Sequence, residues 1–104
     1  MITVSVLYAN SDDASFDIDY YVTKHMPLVQ AKLGAALLGS RAEQGLAGGT
    51  PDEKPPYVAL CHLYFDSVEA FQHAFAPHAE EIMADVGNYT NIEPTFQISE
   101  IKLI

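Results

Sequence analysis

The segment "YVALCHLYF", residues 57–65, constrains the fold more than any other part of the chain. It contains no glycine or proline, and its residues are aromatic, β-branched or otherwise apolar except for His62, which is typical of a β-strand. Because successive side chains of a strand point to opposite faces, this segment is apolar on both sides. It therefore predicts an interior strand whose sheet is covered on both faces.

The remaining segments supply partners for this strand. Residues 1–8, "MITVSVLY", alternate between apolar and polar positions and predict a first strand, and residues 37–46 and 95–103 predict two more. Asp17 and Ser67 are good N-caps for two helical segments between the strands. The order β-α-β-β-α-β predicts an α+β, ferredoxin-like sandwich with a four-stranded antiparallel sheet and its helices on one face.

This architecture leaves one face of the sheet without a cover. Two helices can shield only one side, yet the strand at 57–65 is apolar on both. A second copy of the chain is the simplest cover, so we expect a homodimer that pairs through the sheet face. The hydrophobic fraction of 49% is high for a chain of 104 residues, which we expect to form one domain over residues 1–104.

Composition excludes several classes of partner. The formal net charge is −9, and the five basic residues do not cluster, so binding to nucleic acid or to an anionic membrane surface is disfavoured. No apolar stretch approaches the length of a membrane span, and no signal peptide is visible at the N-terminus. We therefore expect a cytoplasmic protein. The single cysteine allows no disulfide within the chain.

The segment "DIDYYVTKHMPLV", residues 17–29, combines helical spacing with an unusual histidine. Phe16, just before the N-cap, can contact Tyr21 in the first turns of the helix. The inward face would then carry a set of residues at helical spacing: Ile18, Tyr21, Val22 and His25. Pro27 should end or kink this helix, because it lacks a backbone N–H donor. A further turn or two should follow, with Gly34 as the C-cap.

His25 has two interpretations. A buried histidine is usually a core residue whose ring nitrogens are hydrogen-bonded, and the residues alone favour that interpretation. The alternative is an acid/base group in a pocket that Tyr8 and Tyr21 would also line, suited to a flat, apolar ligand with one or two polar handles.

Other kinds of site have little support in the sequence. The spacing of the histidines predicts no metal site. Cys61 is expected to be a small buried hydrophobe, because its neighbour His62 points to the other face of the strand. The segment "GLAGGT" lacks the context of a nucleotide-binding loop, so no cofactor is expected.

Four segments resemble the EthD family of the dimeric α+β barrel superfamily. They are "FDIDYYVTKHMPLV", "PYVALCHLYFDSVEAF", "EIMADVGNYTNIEP" and "FQISEI", and the resemblance extends over residues 2–102. Its most specific element is the Tyr-Tyr-x-x-x-His-x-Pro motif, formed by Tyr20, Tyr21, His25 and Pro27. The resemblance implies a ferredoxin-like fold in which two monomers pair their sheets into one barrel.

The resemblance also implies a range of functions. The family takes its name from a protein needed in ethyl tert-butyl ether degradation alongside a cytochrome P450 system. Relatives in the superfamily include small cofactor-free monooxygenases, isomerases and polyketide cyclases, whose ligands lie in a cleft between helices and sheet. His25 would be the catalytic acid/base there, and we expect the substrate to contact Tyr8, Tyr21, Pro27 and Cys61.

Three hypotheses therefore stay open from the sequence. The chain is a small enzyme of degradative metabolism that acts on a hydrophobic organic compound without metal or flavin. Alternatively, it is a non-catalytic accessory protein that binds a small hydrophobic molecule or supports an oxygenase system of the cytochrome P450 type. A third hypothesis is a structural dimer that binds no ligand. Fold alone does not decide among them.

Overall fold

A computed structural model describes residues 1–104 and is built on a four-stranded antiparallel sheet. The strands are β1 (Ile2–Ala9), β2 (Gly39–Gln44), β3 (Tyr57–Phe65) and β4 (Thr95–Glu100). They lie in the order β2-β3-β1-β4, so the two most apolar strands occupy the centre of the sheet. This topology confirms the predicted α+β, ferredoxin-like sandwich.

Two helical segments connect the strands. The first contains α1 (Ile18–Tyr20), a π-helical turn (Tyr21–His25) and α2 (Met26–Leu33) in unbroken succession. The second contains α3 (Val68–Phe75) and α4 (Ala79–Ala84), joined and followed by short 3₁₀ turns. None of these helices is both long and apolar enough to span a bilayer.

The predicted helix starts are confirmed by their hydrogen bonds. The Asp17 carboxylate accepts a hydrogen bond of 3.0 Å from the backbone N–H of Tyr20, and the Ser67 hydroxyl accepts one of 3.1 Å from that of Ala70. Phe16 contacts Tyr21 edge to face, with 5.0 Å between the ring centroids. These contacts fix the point at which each helical segment leaves the preceding loop.

The helix continues through Pro27 instead of ending there, and the distortion lies in the turn before the proline. The backbone N–H of Met26 donates to the carbonyl of Tyr21, five residues earlier, which defines the π turn. Pro27 then lies in the first turn of α2, where a missing N–H costs little. The widened turn also departs from the 3.6-residue period. Val22 is 45% exposed rather than on the buried face that the spacing predicts.

Two strand boundaries also differ from the prediction. The second strand covers Gly39–Gln44 rather than 37–46, and the fourth covers Thr95–Glu100 rather than 95–103. The fourth strand ends early because its neighbour β1 has no residues left to pair with it. The N–H of Ile101 bonds to the carbonyl of Met1, and the side chain of Leu103 is 93% exposed.

The helices cover one face of the sheet and leave the other open. The covered face carries alternate residues of the two central strands, which are at most 8% exposed. These residues are Ile2, Val4, Val6, Tyr8, Ala59, Cys61, Leu63 and Phe65. On the open face, Leu7 pairs with Leu60, and the Ser5 hydroxyl is hydrogen-bonded to His62 Nδ1 at 2.9 Å. That face is therefore mixed in polarity, and the side chains of its central strands are only half-buried.

Gly34, the C-cap of α2, offers a direct test of where that helix ends. Its backbone has φ 62° and ψ −141°, a conformation that a side chain strongly disfavours. Replacing Gly34 with Ala should therefore lower the free energy of unfolding by about 1–3 kcal/mol, measured by urea denaturation. Gly87→Ala is the matched control, because Gly87 has no positive φ and no atom within 4 Å of an added Cβ. Equal stabilities of the two variants would contradict this account of the C-cap.

Candidate functional site

A small cavity lies between the helical segments and the covered face of the sheet. Its volume is about 30 Å³, and 12 of the 14 residues around it are hydrophobic. The sheet contributes Tyr8 and Cys61 to its inner wall, and the π turn contributes Tyr21 and His25. Met83, after the middle of α4, and Phe96, on the edge strand β4, form part of its outer rim. In this state the cavity has room for a solvent molecule or two.

His25 is held by a carboxylate from the second helical segment. Its Nδ1 atom lies 2.9 Å from Oδ2 of Asp85, and its side chain is 5% exposed. Because an ionised carboxylate can only accept a hydrogen bond, Nδ1 carries the proton. In the neutral ring, Nε2 is then the unprotonated nitrogen and can act as a base.

Asp85 is the centre of a polar network behind His25. The Tyr20 hydroxyl donates to Oδ1 of Asp85 at 2.7 Å, and the Asn88 side-chain amide donates to the same atom at 2.9 Å. Burial of Asp85 opposes its ionisation. Hydrogen bonds from Asn88, His25 and Tyr20 outweigh that effect and lower the pKa of Asp85. The carboxylate is therefore ionised at neutral pH and keeps His25 in one orientation.

Aromatic rings enclose the imidazole. The ring of Tyr21 stacks on that of His25 with 5.6 Å between centroids and 14° between planes, and the Tyr89 ring lies 4.6 Å away. The hydroxyls of Tyr8 and Tyr89 are hydrogen-bonded to each other at 2.6 Å. Burial raises the pKa of Tyr8 to about 12 and also raises that of Tyr89. Both hydroxyls therefore stay protonated at neutral pH.

Tyr21 differs from the other tyrosines around the cavity. Its side chain is fully buried, and its hydroxyl makes no hydrogen bond. Burial, together with the nearby Cys61 and Tyr8, raises the pKa of Tyr21, so the hydroxyl keeps its proton. Burial likewise raises the pKa of the Cys61 thiol, which leaves it a poor nucleophile. Cys61 is thus the small buried hydrophobe that the sequence predicted.

Four of the five residues that we expected at the site line this one cavity. They are Tyr8, Tyr21, His25 and Cys61. Pro27 was expected there as well, but it is exposed and does not line the cavity. Two residues of helix correspond to a rotation of about 200°, so Pro27 points away from the face that carries His25.

Asp85 and Tyr89 are site residues that sequence reasoning missed. Asp85 lies 60 residues from His25 in the chain. The periodicity of one helix does not predict which residue after another helix will contact it. The available signal was local. An aspartate and a tyrosine four positions apart, just past the end of a helix, can share one face. No three His, Cys, Asp or Glu side chains come close enough together to hold a metal ion.

The fold and the cleft define a class of protein. The chain is a ferredoxin-like α+β domain with a histidine–aspartate pair in an apolar, tyrosine-rich cleft between helices and sheet. A family model described as EthD domain matches residues 11–93, which include both His25 and Asp85. The chain belongs to the EthD family.

Relatives support this assignment. The chain is 33% identical over 93 residues to an uncharacterized 11.0 kDa protein from the thcB–thcC intergenic region of Rhodococcus erythropolis, covering 88% of this chain and 85% of that protein. The crystal structure of an EthD-like protein from Ralstonia eutropha JMP134 is 43% identical, with a TM-score of 0.93 over 98% of this chain and 92% of that one.

A more distant structure shares the fold alone. An ethyl tert-butyl ether (EthD) family protein from Bacillus halodurans C-125 is 20% identical, with a TM-score of 0.66 over 97% of this chain and 98% of that one.

The Asp85 network predicts a pH-dependent contribution to stability. Asp85→Asn should lower the free energy of unfolding at pH 7 by about 1–3 kcal/mol, because it removes the charge that organises three hydrogen bonds. The folded-state pKa of Asp85 is lowered, so this stabilisation is fully present above the unfolded pKa of about 4. It is lost as the pH falls through the folded pKa.

Urea denaturation followed by circular dichroism at pH 7 and at acid pH measures this effect. The stabilities of the wild type and Asp85→Asn should converge as the pH falls. Asp52→Asn, a change at an exposed carboxylate in the loop before β3, is the matched control and should match the wild type throughout. A stability difference that stays constant with pH would show that the ionised carboxylate is not its source.

Proposed function

We propose that the chain is a small enzyme that uses His25 as a general acid/base on a small hydrophobic organic compound, through its own side chains and without a cofactor. One observation carries this proposal. The imidazole is bound through Nδ1 to a partly buried, ionised carboxylate, and the same imidazole side chain lines an apolar cavity. A histidine that served only to fill the core would not need a carboxylate supported by two further donors.

The chemistry follows from the arrangement of His25 and Asp85. With Nδ1 held by the carboxylate, Nε2 is the nitrogen that can accept a proton from a bound compound. Asp85 stabilises the imidazolium that forms, in the manner of the aspartate of a catalytic triad. Proton removal next to a carbonyl, or from a phenol, is the first step of many isomerase and cyclase reactions. Degradative metabolism of a small organic compound is the setting that the family suggests.

The size of the cavity limits the substrate. A volume of about 30 Å³ is too small for an organic compound unless side chains move. Met83 and Phe96 on the rim are 37% and 43% exposed. Because both are already partly in solvent, their side chains can turn outward at little cost in buried area. A compact substrate could then enter beside His25. A large polycyclic compound would require movement of the sheet or the helices.

We also propose that the protein forms a homodimer, which pairs through the open face of the sheet. Leu7, Leu60 and Tyr64 lie on that face and are half-buried, although no element of the chain packs over the strands there. This interface would leave the cavity free, because the cavity lies on the opposite side of the sheet.

Proton exchange at carbon tests the enzymatic proposal directly. Cyclopentanone incubated with the protein in D₂O should lose its α-hydrogens faster than in buffer alone, as followed by ¹H NMR. Replacing His25 with Gln removes the base and should lower the protein-dependent rate by about 100-fold or more. His73→Gln, a change at an exposed histidine of α3, is the control and should keep the wild-type rate.

Two results would count against His25 as the base. One is an exchange rate that is equal in the wild type and the folded His25→Gln variant. The other is an absence of exchange above the buffer rate in the wild type. Circular dichroism of each variant establishes that it is folded before its rate is compared.

The dimer has an independent test. Leu60→Glu places a charge at the centre of the open face and should convert the dimer into a folded monomer, observed by sedimentation velocity at micromolar concentration. Gln72→Glu, on the exposed side of α3, adds the same charge elsewhere and should leave the dimer intact. A wild-type protein that sediments as a monomer would refute the interface.

The apolar lining of the cavity also favours a second candidate function. A protein that only holds a small hydrophobic molecule, or that supports an oxygenase system of the cytochrome P450 type, needs a hydrophobic wall such as the 12 of 14 lining residues supply, and no reacting group. Binding of cyclopentanone without any protein-dependent exchange would favour this accessory role over the enzyme.

A further inference from the structure

We infer that the hydroxyl of Tyr21 is the anchor for a carbonyl oxygen, so that the site takes small neutral ketones or aldehydes. The inference deepens the proposed function and rests on it for the chemistry, but not for binding. It starts from a tyrosine that lines the cavity and whose hydroxyl is fully buried without a hydrogen-bond partner.

An unpaired hydroxyl in the protein interior is unfavourable. Removing it from water without a compensating hydrogen bond costs on the order of 1–3 kcal/mol in proteins. The fold has no need of this hydroxyl, because phenylalanine would fill the same space. The hydroxyl of Tyr21 therefore gains its partner when a compound with an acceptor atom enters the cavity.

The other polar groups of the cavity are already engaged or are weak. Tyr8 and Tyr89 are joined by a 2.6 Å hydrogen bond, which uses one of their two hydroxyl protons, and His25 Nδ1 is held by Asp85. The thiol of Cys61, next to the Tyr21 hydroxyl, is only a weak donor and acceptor. The Tyr21 hydroxyl and His25 Nε2 are therefore the two polar atoms of lining residues that lack a strong partner, the first as donor and the second as base.

The charges around the cavity select a neutral compound. No lysine or arginine lines it, so a carboxylate or phosphate would be buried there without a cation. The ionised Asp85 behind His25 also repels an anion. An apolar body with one carbonyl group matches the hydrophobic wall and the unpartnered donor of Tyr21.

Tyr21 and His25 lie next to each other at the two ends of the π turn. Their rings stack, with 5.6 Å between centroids. A ketone whose oxygen accepts from Tyr21 could present its α-carbon toward the imidazole. The α C–H bond then breaks, its proton forms an N–H bond at Nε2, and the electron pair moves to the carbonyl oxygen as an enolate. Tyr21 donates to that oxygen, and return of a proton or deuteron from the imidazolium regenerates the ketone.

A pair of probes that differ only in the acceptor tests this inference. Cyclopentanone and methylenecyclopentane have similar shape, but only the ketone has an oxygen. Their dissociation constants are measured by NMR titration against the wild type, Tyr21→Phe and the control Tyr57→Phe, a change at a tyrosine 38% exposed outside the cavity. Thermal unfolding of each variant is recorded without ligand.

We expect Tyr21→Phe to weaken cyclopentanone binding about tenfold and to leave methylenecyclopentane binding unchanged within about twofold. The unliganded variant should unfold at the same temperature as the wild type or higher, because it no longer buries an unpaired hydroxyl. Tyr57→Phe should leave both dissociation constants unchanged. A purely structural role of Tyr21 would lower the unfolding temperature and affect both probes alike.

The outcomes separate this inference from the proposed function. Loss of ketone preference in Tyr21→Phe supports the anchor even if no α-hydrogen exchange occurs, in which case only the enzymatic proposal fails. If exchange depends on His25 but Tyr21→Phe keeps its preference for the ketone, the role of Tyr21 as anchor is refuted and the enzymatic proposal stands. Failure of cyclopentanone to bind the wild-type protein also overturns the anchor.

Discussion

The partly buried carboxylate of Asp85 makes the interactions on which the site depends. It joins the two helical segments, since it accepts hydrogen bonds from Tyr20 and His25 of the first segment and from Asn88 beside its own helix. A charge in this position is tolerated only because several donors surround it. Tyr20 and Asn88 hold the carboxylate in place, and the carboxylate fixes the ring of His25. That ring in turn contacts Tyr21 and Tyr89. The polar network and the aromatic core are therefore one packed unit.

The π turn places the two central residues of that unit. In a regular helix through Tyr21 and His25, Pro27 would leave a carbonyl of the preceding turn without its N–H donor. The proline ring would also clash with that carbonyl. The turn shifts the hydrogen bonds by one residue and lets α2 begin with the proline in its first turn. π turns inside helices are rare and are frequently found at functional sites. Here the distortion and the proposed base occur in the same five residues.

Several features of the fold could be predicted from the sequence because they depend on neighbouring residues. The apolar alternation of β1 and β3, the caps at Asp17 and Ser67, and the end at Gly34 are all local signals. The pairing of His25 with Asp85 could not be predicted, because it depends on how two distant helical segments pack. The π turn just before Pro27 was also missed, since a wider turn leaves no trace in residue spacing. The position of Cys61 was predictable because strand alternation fixes its face.

The cavity shares its inner wall with the hydrophobic core, and this has a consequence for how the family can diversify. Tyr8, Tyr21 and Cys61 belong to the hydrophobic core and also line the cavity, so a substitution that changes the size of a side chain there also alters folding. Met83 and Phe96 line the same space but lie at its exposed edge. Selection for a new compound could therefore change the rim freely while the inner wall stays constrained. Related proteins could in this way keep one chemistry and accept different molecules.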